Sequence, residues 1–354
     1  MRVLVTGHLG YLGVELTPVL QRLGHEVVGL DTNYYAGCDF STPPEPLPAL
    51  DVDLRDITPA HLAGFDAVVH LAALSNDPLS DLNPRLTYDI NLDASVRLAE
   101  AAKAAGVRRF VYSSSCSLYG QGGDTELDER APFNPVTAYG KTKVLVEQQV
   151  SQLADDDFSP VFLRNATVYG LSRRLRADIV VNNLVGYAAT TGTLILQSDG
   201  TPWRPLVHIL DVAQAFAMAL DAPRPSIHNQ AFNVGRVGEN YQVRAIADTV
   251  GEVVHGCDVQ YGAGATADAR DYRVDFAKIE SKLPGYQPEW TLRRGIEQLW
   301  AAFAGDGMSR EAFEAPTFYR LRTIRQRLDD GELDGDLRWI RSPRDVSMGE
   351  RQPV

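Results

Sequence analysis

A tyrosine and a lysine stand four residues apart at Tyr139 and Lys143, a spacing that places both side chains on one face of a helix. A phenol with an ordinary pKa of about 10 is a poor base at neutral pH, but a neighbouring ammonium lowers that pKa by favouring the phenolate. Such a pair suits the removal of a proton from an alcohol and its later return. Ser115 follows a predicted strand upstream, where its hydroxyl can bond the reacting oxygen. Ser113 and Ser114 can instead satisfy backbone groups of the turn, so the position of the reactive serine is open by one residue.

A glycine-rich turn near the N-terminus adds a cofactor to this chemistry. A predicted strand, Arg2 to Thr6, is followed by Gly7, Gly10 and Gly13 and by a helix that opens at about Leu12. A dinucleotide diphosphate needs this arrangement, because it brings bare backbone close to the phosphates and the positive end of a helix dipole beneath them. Spaced glycines also occur in simple turns, so the inference depends on the strand and the helix around them.

Asp31 favours NAD over NADP. It stands eighteen residues beyond Gly13, at the end of the second predicted strand. A carboxylate at this point accepts hydrogen bonds from a ribose diol and repels a 2′-phosphate. The competing interpretation, a turn residue ahead of Thr32 and Asn33, is the weaker one.

Composition and charge limit the possible partners of this chain of 354 residues. Its net charge is −12, from 34 basic and 46 acidic residues, and no lysine and arginine block is dense enough to follow nucleic acid. The N-terminus begins directly as a strand and no apolar run reaches membrane-spanning length, which predicts a cytoplasmic protein without a membrane partner. Three widely spaced cysteines and seven histidines lack metal-ligand spacing, so neither a disulfide framework nor a metal site is expected.

Short Val-rich strands alternate with helical patterns through the first half of the chain. Their nearly continuous apolar character is typical of strands that are buried on both faces of a sheet. The alternation implies right-handed crossovers and predicts an α/β fold with a Rossmann-like, doubly wound parallel sheet. The predicted strands are Arg2 to Thr6, Glu26 to Leu30, Ala67 to Leu71, Arg109 to Ser113 and Val161 to Arg164, and the predicted helices are Leu12 to Leu23, Pro84 to Ala105 and Tyr139 to Leu153.

The alternation loosens after about residue 170, which predicts a smaller C-terminal substrate-binding region over the carboxyl edge of the sheet. We expect a dinucleotide-binding domain with the catalytic pair at 1–170 and a mainly substrate-binding region at 171–308, some of whose elements return to the first domain. A C-terminal helical extension follows at 309–354. Arg173, Arg174 and Arg176 form a basic loop that either binds an acidic group or, as we expect, is solvated.

Further motifs, in a fixed order, extend the glycine turn and the tyrosine–lysine pair. The stretch Thr6 to Gly13 (TGHLGYLG) resembles the TGxxGxxG fingerprint of the extended short-chain dehydrogenase/reductases, the family of nucleotide-sugar epimerases and dehydratases. The resemblance covers about Met1 to Leu299, and the tail lies outside it. It continues through Asp53 to Asp56, His70 to Ala73, Asn91, Ser113 to Gly120, Tyr139 to Lys143, Leu163 to Gly170 and Arg204 to Asp211.

The resemblance implies NAD as the cofactor and a set of residues around it. Asp53 and Leu54 would lie by the adenine. The residues implied to bind the cofactor are Gly7, Gly10, Tyr11, Leu12, Gly13, Asp31, Asp53, Leu54, Leu71, Ala72, Ala73, Asn91, Ser113, Tyr139 and Lys143. For Asp56 and His70 we prefer structural roles, as a helix cap and a satisfied histidine at a strand end.

The resemblance also implies a nucleotide-diphosphate sugar as the substrate, whose adjacent negative charges suit planar guanidinium groups. Arg204 in WRPLVH and Arg270 in DARDYRVD resemble the family's phosphate-binding arginines, although either type also occurs in surface ion pairs. Thr167 stands where family members usually carry Asn. The residues implied to bind substrate are Ser75, Asn76, Thr167, Asn182, Asn183, Arg204 and Arg270.

Cys116 and Ser117 depart from the family's 4,6-dehydratases, which carry Asp and Glu at these positions to expel water. Conventional dehydration is therefore disfavoured, whereas epimerisation at C4 needs only the tyrosine, the serine and the cofactor. A thiol can act as an acid or base in ketosugar epimerisation, so Cys116 and Ser117 join Ser115 as candidate catalytic residues. Inert packing is the commoner role of a buried cysteine.

These features predict an NAD-dependent nucleotide-sugar epimerase, acting at C4 through a transient 4-keto sugar with Tyr139 as acid and base. A dehydratase, a decarboxylase and a 4-ketoreductase on the same scaffold are alternatives. A non-catalytic NAD-sensing protein is another, which intact Tyr139 and Lys143 disfavour. Family members join two long helices per subunit into a four-helix interface, so the resemblance predicts a homodimer through Pro84 to Ala105 and Tyr139 to Leu153.

Overall fold

Strands and helices alternate along the chain, and the computed structural model describes residues 1–75, 83–196, 198–262 and 270–340. Within these ranges the strands are β1 (Arg2–Thr6), β2 (Glu26–Leu30), β3 (Ala49–Leu50), β4 (Ala67–His70), β5 (Arg109–Ser115), β6 (Gln121–Leu127), β7 (Ser159–Asn165), β8 (Thr167–Tyr169), β9 (Thr193–Leu196), β10 (Trp203–His208), β11 (Gln230–Val234), β12 (Asn240–Gln242), β13 (Asp258–Tyr261) and β14 (Asp271–Val274). The helices are α1 (Gly13–Arg22), α2 (Pro84–Tyr88), α3 (Ala94–Ala104), α4 (Ala138–Ser151), α5 (Val180–Thr191), α6 (Ile209–Asp221), α7 (Arg224–Ile227), α8 (Val243–Val253), α9 (Ala277–Lys282), α10 (Leu292–Asp306), α11 (Arg310–Glu314) and α12 (Arg320–Asp329).

A seven-stranded sheet in the order β11-β7-β5-β4-β1-β2-β3 forms the centre of the fold, and every neighbouring pair of strands is parallel. Alternate side chains of its strands enter two separate cores. Val3 and Val5 pack with α1 and α6 on one face, while Leu4 packs with α3 and α4 on the other. The predicted α/β, Rossmann-like doubly wound sheet is therefore confirmed.

Gly24 ends the first helix in a Schellman motif. Its φ is +84°, its N–H donates to the Gln21 carbonyl at 2.9 Å, and the His25 N–H donates to the Leu20 carbonyl at 3.1 Å. Because L side chains rarely adopt this conformation, glycine fixes the point at which the chain turns from α1 into β2.

The predicted helix from Pro84 to Ala105 is interrupted. α2 and α3 are separated by a π turn at Asp89–Asp93, a local widening that is often found at functional sites. The turn directs the Asn91 amide towards the loop after β4, where Oδ1 accepts from the Leu74 N–H at 2.7 Å and Nδ2 donates to the Leu74 carbonyl at 3.1 Å. One side chain thus satisfies both backbone groups of a loop residue and fixes that loop.

Smaller sheets build much of the second half of the chain. β12, β10 and β8 form a three-stranded sheet, while β13 pairs with β9 and β14 with β6. β11 instead returns to the large sheet, where it pairs with β7 from Gln230 opposite Val161 to Val234 opposite Asn165. The second half therefore supplies an outer strand of the central sheet as well as a smaller lobe.

The C-terminal segment folds back onto the first half of the chain. A 3₁₀ turn at Pro316–Phe318 precedes α12, so the helix predicted from Phe318 to Leu328 begins two residues later. A buried apolar cluster joins this segment to the body of the protein. Its members are Tyr34, Leu74, Leu86, Ile90, Ile324, Leu333 and Leu337.

Among the described residues, none of the helices is both long and apolar enough to cross a membrane. The same residues contain no group of His, Cys, Asp and Glu side chains arranged to hold a metal ion.

Candidate active site

A deep cleft of about 680 Å³ lies where the strands of the large sheet end, a volume typical of small-molecule sites. Gly7 follows β1, Asp31 follows β2, Ala72 lies just beyond β4, and Ser115 ends β5. Ligands of open α/β sheets bind at this edge. Later parts of the chain complete the lining with Thr167, Asn183, Arg204 and Arg270, and the C-terminal segment adds Arg320.

Helix α4 positions Tyr139 and Lys143. Thr137 caps the helix by accepting a hydrogen bond from the Gly140 N–H at 3.1 Å. Tyr139 lines the cleft, and the Lys143 ammonium lies 5.4 Å from the centroid of its ring. Lys143 is 3% exposed and donates to the Ser113 carbonyl oxygen at 2.6 Å, so the end of β5 fixes the position of the ammonium.

Burial lowers the pKa of Lys143 to about 7, while the Glu147 carboxylate one turn further along acts in the opposite direction. When Lys143 is charged, its ammonium favours the phenolate form of the neighbouring Tyr139. This arrangement equips Tyr139 to act as a base near neutral pH.

Hydrogen bonds separate the roles of the consecutive serines at the end of β5. Ser114 is buried and donates to a carboxylate of α4 at 2.5 Å. Ser113 accepts from the Asn165 amide at 3.0 Å. Ser115 lines the cleft and accepts the Ser117 hydroxyl proton at 2.9 Å, which leaves its own proton for a ligand oxygen. The geometry favours Ser115 as the serine that bonds a reacting oxygen, oriented by Ser117.

Cys116 does not face the cleft, and the sequence-based assignment of a catalytic role to it is corrected. Its side chain is fully buried in the core, where the thiol donates to the Arg164 carbonyl oxygen at 3.1 Å. Burial raises the pKa of the thiol far above its ordinary value, which opposes thiolate chemistry. Cys116 is therefore a packing residue.

The glycine turn after β1 presents bare backbone to the cleft. A Cβ at Gly7, whose φ is +73°, would lie 2.8 Å from the Ala72 nitrogen, and a Cβ at Gly13 would lie 2.2 Å from the Gly7 oxygen. α1 begins at Gly13, which lines the cleft, so the positive end of the helix dipole lies at this edge and favours an anion. The residues that line the cleft here are Gly7, Gly10, Tyr11, Leu12 and Gly13.

Asp31 is held at the end of β2 by two backbone N–H groups. Oδ2 accepts from Leu9 at 2.9 Å and Oδ1 accepts from Asn33 at 2.7 Å. Each oxygen keeps a lone pair for a ligand hydroxyl, as a ribose diol requires. Together with the glycine turn, this carboxylate fits a dinucleotide without a 2′-phosphate.

Comparison with known proteins agrees with this geometry. Residues 3–235 match the pattern of the NAD-dependent epimerase/dehydratase family. The chain belongs to this family. It is an NAD-dependent enzyme of the epimerase/dehydratase type, and the resemblance drawn from the motifs is confirmed.

Relatives in this family match the chain over most of their length. The UDP-glucose 4-epimerase of Corynebacterium glutamicum is 29% identical over 318 residues, which span 85% of this chain and 95% of that protein. The UDP-glucose 4-epimerase of Mycolicibacterium smegmatis is 32% identical over 308 residues, with 84% and 96% covered. The structure of MoeE5 in complex with UDP-glucuronic acid and NAD is similar at a TM-score of 0.74 and 28% identity, and covers 86% of this chain and 99% of that chain.

Two residues assigned to the cofactor from sequence do not line the cleft of this epimerase/dehydratase family member. Oδ1 and Nδ2 of Asn91 each bond the backbone of Leu74, so Asn91 positions the loop after β4, and its contact with the cofactor stays a prediction. Lys143 reaches the cleft only through Tyr139 and Ser113. The remaining assigned residues lie in the lining: Gly7, Gly10, Tyr11, Leu12, Gly13, Asp31, Asp53, Leu54, Leu71, Ala72, Ala73, Ser113 and Tyr139.

Asp53 caps the short 3₁₀ helix that follows it, whereas Asp56 was expected to be the cap. The Asp53 carboxylate accepts the Arg55 backbone N–H at 2.8 Å and its guanidinium at 2.7 Å. Asp56 instead pairs with Arg338 at 2.5 Å, so its predicted role is corrected.

His70 is a satisfied, buried histidine as predicted, because its two ring nitrogens lie 2.6 and 2.8 Å from the hydroxyls of Thr6 and Ser95.

The two arginines assigned to the substrate diphosphate meet at the cleft wall. Arg204 donates to the Arg270 carbonyl oxygen, which brings both residues to one side of the site. Ser75, Thr167 and Asn183 also line the cleft. Asn76 lies outside the described residues.

Asn182 is a structural residue, and its assignment to the substrate is corrected. It is fully buried, its Oδ1 accepts from the Gly170 N–H at 2.9 Å, and its Nδ2 donates to the Arg176 carbonyl at 2.9 Å. The amide therefore stabilises the loop between β8 and α5 and does not face the cleft.

The basic loop that was expected to be solvated is largely buried. Arg174 is 4% exposed and lies 3.3 Å from Asp39, while Arg176 is 8% exposed, pairs with Asp178 at 2.9 Å and lines the cleft. The solvated interpretation is therefore wrong for these two arginines. Sequence reasoning also missed Tyr34, Tyr35, Asp178 and Arg320 in the lining, and no local motif marks them.

Proposed function

We propose that this protein is an NAD-dependent nucleotide-sugar epimerase that inverts C4 through a transient 4-keto sugar. The observation that carries the proposal is the cleft face formed by Tyr139 and Ser115, with the Lys143 ammonium 5.4 Å from the phenol ring. This set of groups can move a proton to and from one alcohol. It supplies nothing that would commit the sugar to another bond change.

Tyr139 takes the proton of the C4 hydroxyl while Ser115 donates a hydrogen bond to the same oxygen. Before this step the Lys143 ammonium stabilises the phenolate form of Tyr139. After the step Tyr139 holds the proton as a phenol. Bound NAD supplies the hydride acceptor and donor. After the ketone has turned over in the cleft, Tyr139 returns the proton, so the residues end the cycle in their starting states.

The carboxylates in the described cleft lining support epimerisation over dehydration. Asp31 is engaged by two backbone N–H groups, Asp53 by Arg55 and Asp178 by Arg176. The positions after Ser115 hold a buried thiol and a hydroxyl in place of an acid and a base. Elimination of water from C6 has no such pair to promote it.

UDP-hexoses are the substrates to test first. The curated relatives described above are UDP-glucose 4-epimerases, and the structural neighbour holds a UDP-sugar with NAD. Arg204 and Arg270 supply guanidinium groups for the diphosphate on the wall formed by residues 171–308. Thr167 replaces the usual amide near the sugar, so the preferred sugar is the open part of the proposal.

Incubation with UDP-, dTDP-, GDP- and CDP-sugars tests the proposal. The panel includes hexoses, a hexuronic acid and, with added NADH, a 4-keto sugar, and the products are identified by chromatography of the nucleotide sugars. We expect a mixture of C4 epimers without net NADH. Release of a deoxyketosugar would identify a dehydratase, loss of CO2 a decarboxylase, and stoichiometric NADH consumption a 4-ketoreductase. No turnover together with tight NAD binding would identify an NAD sensor.

The proposal includes a homodimer through α2, α3 and α4. These helices lie together on one face of the sheet, as a four-helix interface between two subunits requires. Light scattering after size exclusion should give twice the 38.9 kDa chain mass. A monomeric mass would refute the homodimer and would not affect the proposed reaction.

A further inference from the structure

The C-terminal strap, residues 316–340, covers the side of the cleft at which β2 ends. The Trp339 indole N–H donates to the Thr32 carbonyl at 2.6 Å, and Arg327 Nε donates to the Tyr34 carbonyl at 2.7 Å. These acceptors follow directly after Asp31, the carboxylate suited to the ribose. The strap therefore contacts the backbone next to the adenosine end of the dinucleotide groove.

A second set of contacts joins the strap to the short helix after β3. Arg55 Nη1 donates to the Asp336 carbonyl at 2.6 Å, and Arg338 bonds both carboxylate oxygens of Asp56 at 2.5 and 3.0 Å. Arg55 also donates to the carboxylate of Asp53, which lines the cleft. Both loops that bound the adenosine end are thus held by one C-terminal segment.

Arg320 extends from the strap into the wall of the cleft. It is 2% exposed, its Nη2 donates to the Arg174 carbonyl at 2.8 Å, and its guanidinium carbon lies 4.0 Å from the centre of the Tyr35 ring. Its Nη1 is buried and has no hydrogen-bond partner within the described ranges. A buried N–H without an acceptor is costly, and an oxygen of a ligand would satisfy it.

Positive charge exceeds negative charge around this guanidinium. The charged side chains that act on Arg320 are the Arg176 guanidinium and the Asp178 carboxylate, which pair with each other at 2.9 Å. One carboxylate thus lies beside two guanidinium groups, and the second positive charge, on Arg320, suits an anionic ligand.

We infer that Arg320 binds the diphosphate of NAD and that the C-terminal strap retains the cofactor by closing over its adenosine end. The cleft has to hold two diphosphates, that of NAD and that of the nucleotide sugar. The arginines assigned to them lie in different places. Arg204 and Arg270 stand on the wall of the smaller lobe, whereas Arg320 stacks on Tyr35, four residues beyond Asp31. The family motifs end near Leu299, so this binding residue comes from a segment outside the common pattern.

Cofactor exchange in the holoenzyme tests the inference without reference to turnover. Bound NAD is challenged with isotopically labelled NAD, and its replacement is followed by mass spectrometry of the intact complex. Arg320→Met should exchange about 10–100-fold faster, as expected for loss of a hydrogen bond to a charged group. Arg325→Met, an exposed arginine of the same helix, should exchange at the wild-type rate.

Binding of UDP by calorimetry separates the two diphosphates. Arg320→Met should leave UDP affinity within about twofold, whereas Arg204→Met should weaken it by about tenfold or more. Unchanged NAD exchange in Arg320→Met, or a loss of UDP affinity in its place, would overturn the inference. Neither result bears on which reaction the enzyme catalyses, which the product analysis decides.

Trp339→Phe provides a second test if Arg320→Met does not fold. This change keeps the ring against Tyr34 and removes the hydrogen bond to the Thr32 carbonyl. We expect exchange to be about 2–10-fold faster, in line with one neutral hydrogen bond. Wild-type exchange in Trp339→Phe would overturn the role of the strap.

Discussion

Glu147 and Arg164 form an ion pair inside the protein, with Arg164 Nη2 2.7 Å from Glu147 Oε2 and the side chains 5% and 6% exposed. Arg164 belongs to β7 and Glu147 to α4, one turn beyond Lys143. The pair therefore joins the helix of the proposed acid/base residue to the central sheet. Because the same carboxylate favours the charged form of Lys143, it supports the charge as well as the position of the ammonium.

Glu147→Gln should lower the free energy of unfolding by about 3 kcal/mol or more, because it leaves the Arg164 charge buried without a counter-ion. Urea denaturation followed by circular dichroism measures the change. Glu26→Gln serves as the control, since Glu26 pairs with Arg2 on the surface and its loss should cost less than about 1 kcal/mol. Equal effects in the two variants would contradict the structural role of the buried pair.

Tyr139→Phe should reduce kcat by about 10²–10⁴-fold, since it removes the group that accepts and returns the proton. NAD content per chain, measured after denaturation, should match that of the wild type. Tyr261→Phe, at an exposed tyrosine outside the cleft lining, should leave both quantities unchanged. Wild-type turnover in Tyr139→Phe would falsify the acid/base assignment.

The pH dependence of kcat/KM should follow the Tyr139 and Lys143 pair. Burial lowers the pKa of Lys143 to about 7. Above that pH Lys143 loses the positive charge that favours the phenolate, so kcat/KM should fall as the pH rises through about 7. In Lys143→Met the fall near pH 7 should be absent, and kcat/KM should be low and rise only towards the pKa of about 10 of an unassisted phenol. A profile that does not move would show that the ammonium does not act on the phenol.

Cys116→Ala should leave kcat within about twofold of the wild type, because the thiol is buried and donates to a backbone carbonyl. Ser115→Ala should lower kcat by about 10²-fold, as expected when a donor to the reacting oxygen is removed. Steady-state assays of the two variants decide between the neighbouring residues. A large loss in Cys116→Ala without loss of stability would restore the thiol as an acid or base.

Local signals in the sequence predicted the first half of the fold and the floor of the cleft. The strands around Val3 and Val68 are short and apolar on both faces, and Gly7 and Gly13 are required by close backbone approach. Asp31 could be placed at the cleft because its position depends only on the strand it follows. These inferences succeed because the residues that interact are also ordered along the chain.

Contacts between distant parts of the chain could not be predicted. Arg174 and Arg176 are read from sequence as solvated side chains, and they become buried because Asp39, Asp178 and the strap lie beside them. Asn182 has the residue type of a ligand-binding amide, but its partners are the backbone of its own loop. Arg320 lies 146 residues from the carbonyl that it bonds, and no motif announces that contact.

The return of β11 to the edge of the central sheet ties the two halves of the chain together during synthesis. β7 has β11 as its outer neighbour, so a ribosome that has released only residues 1–170 has produced a sheet with one strand missing and a row of unpaired backbone groups. Those groups would template association with other chains. Expression of residues 1–170 alone should therefore yield aggregates.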